Sequence, residues 1–116
     1  MKNRERDIDS IQKMIRYCTE SDSLLERCQR DFETYRKDIL FQYACNMCVM
    51  QIGELVGRLS DSFIESHPEI PWHAIRAMRN LHAHEYEKVN LEIVWATLTT
   101  RIPELKGQLE KILTEL

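Results

Sequence analysis

Ile39-Leu40-Phe41-Gln42-Tyr43-Ala44-Cys45-Asn46-Met47-Cys48-Val49-Met50-Gln51-Ile52 is apolar nearly all round and holds neither glycine nor proline. A run of this length without a breaker reads as helix, and apolar side chains on every side mean burial against more than one neighbour. From about Phe32 the next glycine is Gly53 and the next proline is Pro68, so the spacing predicts one long helix through Ser60 as the spine of the molecule. One side of that spine is expected to face the core and another a partner subunit.

Toward the N-terminus, Ile8, Ile11, Ile15 and Cys18 recur at three- and four-residue steps, which predicts an amphipathic helix over about Asp7 to Thr19. Ser21-Asp22-Ser23 is expected to stop it, with a short second helix around Leu24, Leu25 and Cys28. Toward the C-terminus, His67-Pro68-Glu69-Ile70-Pro71-Trp72 is a clear break, because two prolines three apart cannot both sit in a helix interior. A new helix is expected near Pro71, with Trp72, Ile75, Met78 and Leu81 on its apolar stripe and Arg76 and Arg79 opposite. Asn90 reads as the N-cap of a helix over Leu91 to Thr100, and Pro103 as the opening of a last one seamed by Leu105, Leu109, Ile112, Leu113 and Leu116. The expectation is an all-α bundle of four or five helices, one of them long and central, with residues 1–116 as a single domain.

Composition bounds the rest. With 116 residues, 43% hydrophobic and 30% charged, and only three glycines and three prolines, the chain reads as a helical globule and not as a turn-rich β-sandwich. Folding at this length buries about two-thirds of the unfolded surface, so an apolar face left over is expected to be covered by a second copy. Sixteen Lys and Arg against nineteen Asp and Glu give a net charge of −3, which argues against a broad cationic nucleic-acid surface and leaves room for a small local one. The start, Met1 to Asp7, lacks the apolar core of a signal peptide and no run of about eighteen apolar residues is read as a membrane span, so a cytoplasmic protein without a membrane partner is expected. Cys18, Cys28, Cys45 and Cys48 sit in helical patterns and read as reduced thiols; Cys45-x-x-Cys48 lacks a second pair, and His67 and His73 lack thiolate or acidic partners, so no metal is assigned.

The chemically dense stretch is Arg76-Ala77-Met78-Arg79-Asn80-Leu81-His82-Ala83-His84-Glu85-Tyr86. Arginine offers a permanent planar fork suited to phosphate oxygens, and histidine carries a proton either way near neutral pH. Those two suffice for metal-free cleavage of RNA, whose 2′-hydroxyl is the nucleophile already in place. Five steps along a regular helix turn through about 140°, so Arg79 and His84 diverge if the helix runs straight through both, whereas His82 shares the side of Arg79. His84 meets Arg79 only if the helix ends or distorts near Ala83, or if a partner subunit supplies the second group. Glu54, beside Gly53 in the spine, is placed to pair with a motif arginine.

Arg79-Asn80-Leu81-His82-Ala83-His84-Glu85-Tyr86 resembles the Arg-x4-His-x-Tyr signature of the HepT-like branch of the HEPN superfamily. The entry His67 to Trp72, the exit Leu91 to Trp95 with Ile102 to Leu105, and Ile52-Gly53-Glu54 resemble the flanks of that motif, so the similarity spans roughly Ile39 to the C-terminus. The resemblance implies a HEPN-type bundle forming a symmetric homodimer, and a metal-independent endoribonuclease toxin neutralised by an MntA-like nucleotidyltransferase antitoxin. It places Arg79 and His84 in the catalytic positions, Asn80 in the polar slot after the arginine, and Tyr86 at the tyrosine that receives AMP; Arg76 and His82, on the same stretch, are expected as supporting or RNA-contacting groups. Glu85, where the family commonly has a small residue, and the extra His82 depart from the pattern, so the proton carrier stays open between His82 and His84. The rival reading is a non-catalytic helical subunit that helps a nucleotidyltransferase hold its nucleotide or substrate.

Overall fold

The computed structural model describes the backbone of residues 2–84 and 90–116, and the side chains of residues 3–80 and 90–116. Among the described residues every regular element is helical: α1 (Lys2–Arg27), α2 (Phe32–Lys37), α3 (Ile39–Val56), α4 (Asp61–Ser66), α5 (Trp72–His84), α6 (Leu91–Ala96) and α7 (Ile102–Glu115), with a π-helical segment, Thr97–Arg101, between the last two. The all-α expectation holds. α3 packs between α1 and α5, and α1 also packs on α7, so α3 is the spine.

The N-terminal helix is longer than its sequence suggested. α1 runs unbroken for 26 residues to Arg27. Ser21 does not stop it, because Cys18, Ser21, Leu25 and Cys28 follow one another at helical steps and are all buried in the same core. It ends where Gln29 and Arg30 take left-handed backbone, with the Arg30 N–H bonded to the Leu25 carbonyl and the Arg30 guanidinium on Asp22 and Glu26.

The predicted Phe32–Ser60 helix is instead two. Asp38 stands in extended backbone (φ −116°, ψ 101°) and its carboxylate accepts from the Leu40 and Phe41 N–H groups, starting α3 afresh. Gln42 ties the bend by donating its side-chain amide to the Tyr35 and Arg36 carbonyls. α3 closes at Gly57, and Ser60 caps α4. The buried Asp7 carboxylate clamps that junction to α1, accepting from the Ser60 N–H at 2.8 Å and the Ser60 hydroxyl at 2.6 Å. α3 is 18 residues long with a mean hydropathy of 1.3, enough for a membrane span by length and composition, yet Cys45, Val49, Ile52 and Val56 on it belong to the core of this bundle.

Asn90 caps α6 as expected, accepting from the Glu92 and Ile93 N–H groups. Pro103 stands in the first turn of α7 as expected, and helical backbone runs into it without a break from Leu91 through the π-helical segment. Proline lacks the N–H that the carbonyl four residues back expects and crowds it, and the wider Thr97–Arg101 turn, with the Ile102 N–H reaching back to the Thr97 carbonyl, absorbs the mismatch. Trp95 meets Phe32 edge-on and Tyr35 at a tilt, with centroid distances of 5.7 and 5.1 Å, and the buried Trp72 donates its indole N–H to the His67 carbonyl. Both tryptophans anchor packing, as their spacing implied.

Candidate functional site

α5 leans on α3 through the two glycines of Gly53-x3-Gly57. A methyl group on Gly53 would sit 3.0 Å from the Arg79 Cβ and 3.1 Å from the Ile75 carbonyl oxygen, so the two helix backbones are in close contact there. One turn further along α3, a methyl on Gly57 would lie 2.5 Å from Nη1 of Arg76, whose guanidinium therefore lies against the glycine. Arg76 and Arg79 are not on the side of α5 opposite the bundle, as the apolar stripe suggested. They occupy the flank against α3, because the absent side chains of Gly53 and Gly57 leave room for two arginines.

Glu54 lies between those glycines in sequence, and its Oε1 stands 2.6 Å from Nε of Arg79. The expected pairing of Glu54 with a motif arginine is therefore present. Both partners keep solvent access, with 38% and 46% of their side-chain surfaces exposed, so the pair serves orientation more than stability. The closest contact is made by Nε, which fixes the direction of the guanidinium along α3. Asn80 is exposed on the next position of α5.

α5 remains α-helical through His84. The helix neither ends nor distorts at Ala83, so positions 79 and 84 of one subunit stand about 140° apart around its axis. The side chains of His82 and His84 lie outside those described, and Glu85 and Tyr86 lie outside the described residues altogether. A cavity of about 340 Å³ opens beside Ile75, Met78, Thr97 and Leu105 on the other flank of α5; its lining is mainly apolar and does not include Arg79. Among the described residues no group of three or more His, Cys, Asp or Glu could hold a metal ion. All four cysteines are free and buried. Burial pushes the Cys18 and Cys45 thiols up to about 12 and Cys48 to about 11, so they stay protonated and unreactive near neutrality.

Gly57 is the feature of the site that the sequence reading missed. Its signal was the four-residue step from Gly53 in a chain of only three glycines.

The all-helical bundle fits a HEPN-type fold. The match is specific: the profile of the Ribonuclease HepT-like family covers residues 8–112, and the chain belongs to that family of ribonucleases. A protein of Caldanaerobacter subterraneus subsp. tengcongensis, named as a candidate RNase, is 39% identical over 95 residues, 81% of this chain and 85% of the relative. A relative from Thermococcus cleftensis, named for the HepT ribonucleases, is 35% identical over 95 residues, 80% of this chain and 86% of its own. A candidate RNase of Methanocaldococcus jannaschii is 34% identical over 86 residues, 74% of each chain. No solved structure matches.

Proposed function

We propose that residues 1–116 form one HEPN-type domain, a metal-independent endoribonuclease that works as a symmetric homodimer and is the toxin of a toxin–antitoxin pair. The observation that carries the catalytic reading is the Glu54–Arg79 ion pair, which orients a guanidinium on the motif helix. Arg79 stabilises the charge that builds on the pentacovalent phosphorus. His84 moves the proton: the 2′-oxygen bonds to phosphorus as its proton leaves, the bond to the 5′-oxygen breaks, and that oxygen takes a proton, leaving a cyclic phosphate and a 5′-hydroxyl. Asn80 and His82 support the substrate phosphate or the imidazole.

Two observations favour assembly of the site from two copies. α5 stays helical past Arg79, which separates positions 79 and 84 within one subunit. On α3 the exposed Ile39, Tyr43 and Met47 recur every fourth residue, and the same face continues through Met50 to Glu54 and Gly57. A second copy covering that stripe brings its own motif helix to the Glu54–Arg79 pair. Tyr86, two residues beyond His84, is the acceptor of AMP from an MntA-like nucleotidyltransferase in the cytoplasm; the added phosphates compete with RNA for Arg79.

Purified protein incubated with RNA and a chelator tests the reading. The parent is expected to cleave, and Arg79→Ala and His84→Ala each to lose at least a hundredfold in rate. Cleavage by either variant at the parent rate overturns the assignment and leaves the rival, a non-catalytic subunit of a nucleotidyltransferase. Incubation with an MntA-like nucleotidyltransferase and ATP is expected to add AMP mass that Tyr86→Phe abolishes.

A further inference from the structure

The backbone of Gly57 has φ −66° and ψ −13°, a conformation any residue adopts. Glycine is not there for its torsional freedom. What a side chain would meet is the Arg76 guanidinium, with Nη1 at 2.5 Å, Cζ at 3.0 Å and Nη2 at 3.2 Å from a Cβ built at Gly57. The missing side chain leaves room for the Arg76 guanidinium to lie against α3, one helical turn from Arg79.

The two guanidiniums differ in electrical state. Arg79 is matched by Glu54 at 2.6 Å, whereas Arg76 is exposed and no carboxylate of the described residues lies within ion-pair distance of it. On a chain with a net charge of −3, an arginine that lies beside Arg79's helix turn and has no carboxylate partner among the described residues is a local anion site. Along α5, Arg76 shares a face with the exposed His73 and Asn80, three residues before and four after it.

We infer that Arg76, seated on Gly57, is a second phosphate-binding group of the ribonuclease, holding the backbone phosphate next to the one that Arg79 grips on single-stranded RNA. The inference rests on the ribonuclease reading above and adds how the strand is held. Arg79 then acts on the reacting phosphate while Arg76 contributes to affinity and to register along the strand.

The test uses a fluorescent 2′-O-methyl oligouridylate, which lacks the nucleophilic hydroxyl and binds without being cut, titrated with the full chain across a range of salt. Arg76→Ala is expected to weaken binding about tenfold and to make the salt dependence shallower by about 0.7 in log–log slope. Gly57→Ala keeps every charge but displaces the guanidinium, and is expected to weaken binding in the same direction with the helical circular dichroism unchanged. Arg76→Lys is expected to keep the parent salt slope. Cleavage of unmodified RNA is followed in parallel. If the parent cleaves and Arg79→Ala does not, while Arg76→Ala binds with the parent affinity and salt slope, the second-phosphate role is overturned and the nuclease stands. If Arg76→Ala loses binding as expected but Arg79→Ala cleaves as the parent does, the nuclease assignment fails instead. A parent that does not bind the oligonucleotide overturns both.

Discussion

Three thiols illustrate what burial does to a single residue. Cys18, Cys45 and Cys48 have pKa values raised from an ordinary value of 9.0 to about 12, 12 and 11, chiefly because the core withholds water from the thiolate. The folded protein therefore retains protons that the unfolded chain releases above about pH 9. Stability is expected to be unaffected by these groups below that pH and to fall as pH rises toward 11, by at most about 1.4 kcal/mol per pH unit for each thiol. Urea midpoints measured between pH 8 and 11 check this: Cys45→Ala should flatten the decline, and an equal decline in parent and variant would remove the Cys45 thiol as a cause. Burial of these residues was legible from their helical phase among apolar neighbours, as was the pairing of Glu54 with an arginine. The seating of Arg76 on Gly57 was not, because it is a contact between residues nineteen apart in sequence, on different helices.

Among the elements, the contact of α3 with α5 is the one that positions the site. A methyl on Gly53 meets backbone atoms of Arg79 and Ile75 at 3.1 Å, and backbone cannot swing aside as a side chain can. Gly53→Ala is expected to push α5 off α3, destabilising the fold by roughly 1–3 kcal/mol and lowering cleavage by moving Arg79 away from Glu54. Thermal melting together with the rate on RNA measures both effects; a parent melting temperature would refute the close packing. The long helices were readable from periodicity, while most helix ends and the short α4 were not, and the separate helix expected around Leu24 to Cys28 is part of α1. Ser21 resembled a stop and lies within α1, and Asp38 resembled an ordinary helical residue and caps α3, whereas Pro103 resembled a start and does lie in the first turn of α7. Serine, aspartate and proline each have a capping use and a tolerated interior use, and tertiary burial or a local π turn chooses between them.

For the whole molecule the open question is the second copy. Met47 and Tyr43 are each about half exposed, at 50% and 51%, on the face of α3 that leads to Glu54. Met47→Glu is expected to yield a monomer by analytical ultracentrifugation at micromolar concentration, with ribonuclease activity lost although the helical content is kept. An active monomer would remove the shared site. Mixing Arg79→Ala with His84→Ala discriminates more finely. If each site takes its arginine from one subunit and its histidine from the other, every mixed dimer regains one complete site, and up to a quarter of the parent activity returns. Sites confined to single subunits would recover nothing.

The sequence by itself determined the helical class, the core positions and the arginine–histidine spacing, because these depend on periodicity and residue chemistry within a few turns of chain. Only the tertiary structure decided where the helices end and which flank of α5 its arginines occupy. It was also the tertiary structure that paired Arg79 with Glu54 and laid Arg76 on Gly57. Such choices follow from how closely two helices distant in sequence can approach, and that distance is set by the side chains missing between them.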